Sequence, residues 1–304
     1  MPQVGFRELI DEAERGGYAV GYFESWSLES LLAVADAAER MHAPVILGFS
    51  GISLPAPARR VVDPLRVYAE MGLAVVRGLS VPACLLFNES PYLEAVLEAI
   101  DLGFGLVMYT DEGLAPAVLE ERIAGVVARA HPQGVAVEGE LTPLEGVGGG
   151  LSSVPDDRRF TDPEAARRFV ECTGIDAMAV NIGQAHLHGR SQVRLDLDRL
   201  AHLRRDVPVP LVLHGASSVD RDDLRAAIGL GIRKINVGSA LKQAFFHAVC
   251  RACLGQDDLY NPYEVIGSGL EADILVQGRL AMQDVVEAYL RLFGSAGKAS
   301  PHPR

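Results

Sequence analysis

Two histidines each close a short apolar run: His186 in Asn181-Ile-Gly-Gln-Ala-His186, and His214 in Pro210-Leu-Val-Leu-His214-Gly215. A histidine at the end of a buried strand, beside glycine and small polar residues, offers a ring nitrogen to a cleft where the backbone also lies open to a ligand. One such histidine is more often a hydrogen-bonded structural residue, but two in the same context point to a site. With one carboxylate, for which Glu89 is the leading candidate, His186 and His214 would form a facial two-histidine, one-carboxylate centre with open positions for substrate oxygens. A divalent ion held there would polarise a ketone and stabilise an enediolate as a Lewis acid. Two small-residue turns, Gly215-Ala-Ser-Ser218 and Asn236-Val-Gly-Ser-Ala240, add exposed backbone N–H groups and the hydroxyls of Ser217 and Ser239. Such turns occur on ordinary surfaces, yet after the last two strands of a barrel they suit a phosphate.

The elements that must hold these residues are short β-rich runs alternating with stretches of helical period. Strands are predicted over 18–23, 44–49, 83–87, 105–109, 134–138, 177–181, 209–213 and 234–237. Amphipathic patterns over 27–39 and 222–228 separate some of them, and Thr161-Asp-Pro-Glu-Ala-Ala166 reads as a helix start with proline in the first turn. Eight strands, each followed by a helix, predict an α/β (β/α)8 TIM barrel, with additional helices after Asn261 and one domain over residues 1–304. Right-handed crossovers gather the strand C-termini on one face. That face would carry a polar ring of Glu24, Ser50, Asn88, Glu89, Asp111, Glu138, Glu140, His186, His188, His214 and Asn236. The glycine-rich piece 142–157 would lie there too, as a lid or as a plain connection.

The chain has 304 residues, 49% hydrophobic and 22% charged, with 40 acidic against 28 basic residues and a formal charge of −12. It can bury a large core, and a nucleic-acid or anionic-membrane surface is not expected. Cys84, Cys172, Cys250 and Cys253 form no disulfide framework, and the lone Cys250-Arg-Ala-Cys253 lacks the second pair of a zinc site. No secretory signal is visible and no apolar stretch reaches the ~18 residues of a membrane span, so a cytoplasmic location is the expectation.

The sequence resembles the class II, metal-dependent ketose-bisphosphate aldolases, the family of fructose- and tagatose-bisphosphate aldolases. The likeness is carried by Tyr18-Ala-Val-Gly-Tyr-Phe23, Ala99-Ile-Asp-Leu-Gly-Phe104, Val137-Glu-Gly-Glu-Leu141, Val212-Leu-His-Gly215, Gly231-Ile-Arg-Lys-Ile-Asn236 and Phe293-Gly-Ser-Ala-Gly-Lys298. It implies one divalent metal, usually zinc, and a sugar or sugar-phosphate ligand. By this resemblance His186 and His214 are metal ligands, and Ser50, Gly183, Arg190, Gly215, Ser217, Asn236 and Ser239 cradle the ligand. Arg190 stands near a family lysine, and a guanidinium alters the geometry of that contact.

The departures fall at the chemistry. Where the family has Leu-His-Leu-Asp-His-Gly, this chain has Leu85-Leu-Phe-Asn-Glu-Ser90. Asn88 replaces the aspartate that exchanges a proton with the substrate, and an amide is no general acid or base. Glu89 replaces a histidine ligand, adding charge that weakens Lewis acidity and makes Mn2+ or Fe2+ alternatives to Zn2+. The lid glutamate has Glu145 as its nearest counterpart, and the family's Phe-Asn is Phe23-Glu24 here. Asn88, Glu24 and Glu145 are therefore the catalytic positions to consider. Losing two proton-transfer groups costs about 10²–10⁴-fold each, so ordinary fructose-bisphosphate cleavage is not the first expectation. The leading expectation is a divergent aldol or retro-aldol lyase acting on a ketose or ketose phosphate. The alternatives are a metal-dependent isomerase or epimerase on the same scaffold, and a non-catalytic sugar-phosphate-binding relative. A homodimer or homotetramer is expected, with helices around Asp273-Ile-Leu-Val276 as an interface.

Overall fold

A computed structural model describes residues 3–144, 159–185, 193–256 and 259–299. Its centre is a closed barrel of eight parallel strands in chain order: β1 (Val20–Ser25), β2 (Val45–Ser50), β3 (Ala83–Ser90), β4 (Leu106–Tyr109), β5 (Ala136–Glu140), β6 (Ala177–Ala179), β7 (Leu211–Leu213) and β8 (Ile232–Val237). The predicted (β/α)8 architecture is the observed one. All eight strands lie where the apolar runs put them, with shifted ends. β3 continues through Asn88, which pairs with Ser50 of β2, and on to Ser90, which pairs with Tyr109. β5 starts at Ala136 rather than at 134, because Gly134 ends a 3-10 turn in the left-handed region, and it runs on to Glu140.

Helix α1 (Phe6–Gly16) precedes the barrel, and its Phe6, Leu9 and Ile10 pack with the inward residues Val20, Ile46, Cys84, Leu86, Leu106, Ala136, Ala177 and Val212. This apolar plug fills the N-terminal half of the barrel. The inward positions towards the C-terminal ends are polar, which leaves that half for chemistry. Between strands and outer helices lies a larger apolar layer that includes Phe49, Phe87, Phe104, Val137 and Phe169.

The helices begin where capping chemistry allows. Ser27 caps α2 (Leu28–Met41) in a reciprocal box with Ser30. Asp162 accepts from the Ala165 N–H at the start of α6 (Pro163–Thr173), and Asp220 caps α8 (Arg221–Gly229). The remaining helices are α3 (Leu65–Gly78), α4 (Leu93–Asp101), α5 (Pro116–Ala130), α7 (Leu197–Asp206), α9 (Ser239–Leu254), α10 (Pro262–Val265) and α11 (Ile274–Leu292). The last of these is tied to α2 by the Arg279–Asp36 pair. No helix among the described residues is long and apolar enough to cross a membrane.

Candidate metal centre

The site follows from side-chain alternation along the strands. Inward Ala136 on β5 sets Glu138 and Glu140 inward, and inward Val212 on β7 does the same for His214 just beyond that strand. On β8, Lys234 and Asn236 share the inward face. On β3, Cys84, Leu86 and Asn88 point in, so simple alternation would turn Glu89 outward. The chain breaks the alternation there: Glu89 has φ 51°, and the register to β4 shifts between Phe87 and Ser90. A non-glycine residue in the left-handed region costs roughly 1–2 kcal/mol, and strain of this kind gathers at functional sites.

The result is a convergence of donors. Ligand atoms of Glu89, Glu140 and His214 lie within 4.8 Å of one another. His214 is buried between carboxylates, with Nδ1 3.1 Å from Glu89 Oε1 and Nε2 2.7 Å from Glu138 Oε1. The other Glu138 oxygen is 2.8 Å from Lys234 Nζ, and both of these side chains are fully buried. Lys234 also donates to Asn236 Oδ1 at 2.6 Å and lies 5.2 Å from the centre of the Tyr22 ring. Glu140 accepts from the Thr110 hydroxyl at 3.0 Å.

Electrostatics decide the protonation states. Burial by itself would raise the Glu138 carboxyl, but Lys234 and His214 outweigh it and hold the group below the usual carboxylate range. Burial pushes the Lys234 ammonium down, opposed by Glu138. Burial also works against a charged His214, yet Glu89 and Glu138 raise it to about 10. Glu140 is pushed up to about 7 by burial and then by the negative charge of Glu89, against relief from His214 and Thr110. Three carboxylates thus face one ammonium and one imidazole, and the least compensated of them is held near neutrality. Such a donor set, nitrogen plus carboxylate oxygens with an unmet demand for positive charge, fits a divalent cation. Glu138 on the second ring nitrogen is the kind of partner that fixes a metal-binding imidazole.

Glu89 and His214 border an open cleft of about 500 Å3 whose lining also includes Tyr22, Glu24, Asn88, Gly215, Ser217, Ser218, Asn236, Val237, Gly238 and Ser239. The structure therefore brings both small-residue turns together with Glu89 and His214. Gly215 has φ 68°, which lets the chain turn directly after His214 into the 3-10 turn Ala216–Ser218. Gly215→Ala is expected to cost about 1–2 kcal/mol in urea unfolding, through left-handed strain and a Cβ 3.1 Å from Leu144 Cδ1. Gly238 makes room at the rim, since a Cβ there would lie 2.5 Å from Glu24 Oε2. Glu24 is ion-paired, with Oε1 2.5 Å from Lys242 Nζ.

Ser50 bonds with Ser53 and, like Gly183, is not among the residues lining this cleft. His186, Arg190 and Glu145 lie outside the described residues. Among the described residues the donor group is Glu89, Glu140 and His214, so Glu140 enters a set that sequence reasoning had built from Glu89 and the two histidines. Lys234 and Tyr22 were missed, and Glu138, placed on the polar ring by the sequence, was given no part in the centre. The signals were present: carboxylates at i and i+2 around Gly139, and a lysine inside the apolar run of β8.

The sequence matches the family of class II fructose-bisphosphate aldolases over residues 4–298. The chain belongs to that family. The fructose-bisphosphate aldolase of Thermus caldophilus is 33% identical, with 96% of this chain and 98% of the relative covered. That of Geobacillus stearothermophilus is also 33% identical, covering 99% of this chain and all of the relative (100%). Among solved structures, the YdjI aldolase of Escherichia coli K12 superimposes with a TM-score of 0.78 at 28% identity, covering 98% of this chain and 100% of that one. The chain thus has the fold and family of aldehyde lyases, and class II aldolases depend on a metal.

Proposed function

We propose that the protein is a divergent class II aldolase-like lyase that cleaves or forms a carbon–carbon bond in a ketose or ketose phosphate, on one divalent metal held by His214, Glu89 and Glu140, with His186 as a further ligand. The observation that carries this reading is the convergence of Glu89, Glu140 and His214 within 4.8 Å beside the Gly215–Ser218 and Gly238–Ser239 turns. When bound, the ion supplies Lewis acidity toward a ketone and stabilises an enediolate. Zn2+ is the first choice, and the two carboxylates also suit Mn2+ or Fe2+. Glu138 holds the His214 ring, and Ser217, Ser239 and the backbone N–H groups around them cradle a phosphate, with Ser50, Gly183 and Arg190 as the other phosphate contacts. Asn236 orients the reacting part of the substrate. Asn88 cannot take a hydroxyl proton, so that transfer falls to Glu24 at the rim or to Glu145.

Metal-loaded protein incubated with a panel of phosphorylated and free ketoses, with the aldehyde trapped as it forms, should cleave at least one of them. Chelation should abolish the activity and a divalent ion restore it. No cleavage of any member, while an authentic aldolase control works, would remove the lyase reading. One observation favours a second reading: the Asn88 amide is engaged on both its heteroatoms, which suits an isomerase or epimerase that moves only a carbon-bound proton. Solvent deuterium entering recovered substrate without cleavage would select it. Sugar-phosphate binding that survives loss of His214 would select a non-catalytic relative.

We further read residues 1–304 as one domain, acting in the cytoplasm as a homodimer or homotetramer without nucleic-acid or membrane partners. Ile274–Val276 are half-buried, so the face that supports assembly is the preceding stretch, where Leu254, Leu259, Tyr260, Tyr263, Ile266 and Leu270 are exposed.

A further inference from the structure

Two amides join the buried ammonium to the Glu89 carboxylate. Lys234 Nζ donates to Asn236 Oδ1 at 2.6 Å, Asn236 Nδ2 donates to Asn88 Oδ1 at 3.3 Å, and Asn88 Nδ2 donates to Glu89 Oε2 at 2.6 Å. The ends fix the direction of this chain. An ammonium can only donate and a carboxylate can only accept, so each amide must turn its oxygen toward Lys234 and its nitrogen toward Glu89. The path closes on itself, because Glu89 Oε1 meets His214 Nδ1, His214 Nε2 meets Glu138 Oε1, and Glu138 Oε2 meets Lys234.

Position 88 in this ring needs one group that accepts on one atom and donates on another. An ionised aspartate could accept from Asn236 but would repel Glu89, and an apolar residue could do neither. The two Glu89 oxygens are thereby made unequal: Oε2 is occupied by Asn88, and Oε1 faces His214. Glu89 also sits at φ 51°, a backbone state that L residues keep only when their surroundings hold them there. The Asn88 backbone carbonyl is fixed as well, accepting from the Gly51 N–H at 2.6 Å.

We propose that Asn88 is a positioning residue for Glu89: its amide, polarised from Lys234 through Asn236, occupies Oε2 and presents Oε1 to a divalent cation. The inference rests on the metal-centre reading of the site. It assigns Asn88 a role in metal binding rather than in proton transfer, and it makes Asn236 matter to the metal before any substrate is present.

The test is titration with Mn2+ alone, by calorimetry and by the electron paramagnetic resonance signal of free Mn2+, on the full chain and on Asn88→Ala, Asn236→Ala and the double variant. Asn88→Ala should weaken Mn2+ binding by about 10–100-fold, the usual range for a residue supporting a metal ligand. Asn236→Ala, which acts on Glu89 through Asn88, should weaken it by a smaller factor. The double variant should be no weaker than Asn88→Ala, because the relay is already broken. Mn2+ affinity within twofold of the parent in Asn88→Ala, or strictly additive losses in the double variant, would overturn the proposal. A merely structural role would lower the melting temperature and leave the affinity unchanged. If Asn88→Ala does not fold, unchanged affinity in Asn236→Ala overturns the proposal and reduced affinity supports it. Should the parent protein bind no Mn2+ that His214→Ala removes, the metal-centre reading itself fails and this inference falls with it.

Discussion

His214→Ala is expected to reduce divalent-metal affinity and lyase turnover by on the order of 10³-fold each. The reason is that two losses coincide. The substitution deletes the nitrogen donor of the group formed with Glu89 and Glu140, and it removes the imidazole that separates Glu89 from Glu138. A supporting residue around a metal already commands 10–100-fold, so a direct ligand whose other ring nitrogen is held by Glu138 should exceed that. Isothermal titration with Zn2+ and Mn2+ reads the first quantity, and trapped aldehyde reads the second. Retained affinity within tenfold of the parent would remove His214 from the metal centre.

Lys234→Met is expected to destabilise the folded chain by about 3–5 kcal/mol in urea unfolding with chelator present, the range for breaking a buried ion pair by removing one partner. Lys234 and Glu138 are both fully buried and 2.8 Å apart. Without the ammonium, the Glu138 carboxylate keeps His214 as its remaining charged neighbour, and Asn236 Oδ1 loses its donor. Adding Glu138→Gln should recover a substantial part of the loss, because the uncompensated charge disappears. A single-variant loss below about 1 kcal/mol, or a double variant as unstable as Lys234→Met, would mean that the pair is not charged in the folded state.

The barrel was legible because its strands are buried on both sides and therefore read as short apolar runs between helical patterns. Strand ends were less legible. Asn88 and Ser90 continue β3 by pairing rather than by hydrophobicity, with Glu89 in the register shift between them, and Gly139 and Glu140 continue β5 by pairing. The site was legible in part. His214 and Glu89 stood out by type and place, and the turns at Gly215–Ser218 and Asn236–Ala240 stood out by composition. How Glu89 reaches the cleft could not be read, since alternation along β3 points it outward and only the left-handed backbone brings it back. The Glu138–Lys234 pair and the membership of Glu140 depend on which inward residues of different strands meet at one height. That is set by the stagger of the closed barrel and not by spacing within any one strand.

The most direct test is anomalous diffraction from crystals of the full chain grown with Mn2+. One strong peak per chain, bonded to a nitrogen of His214 and to carboxylate oxygens of Glu89 and Glu140, is the expected result. An ion bound elsewhere, or one at this site that Glu89 does not touch, would contradict the account.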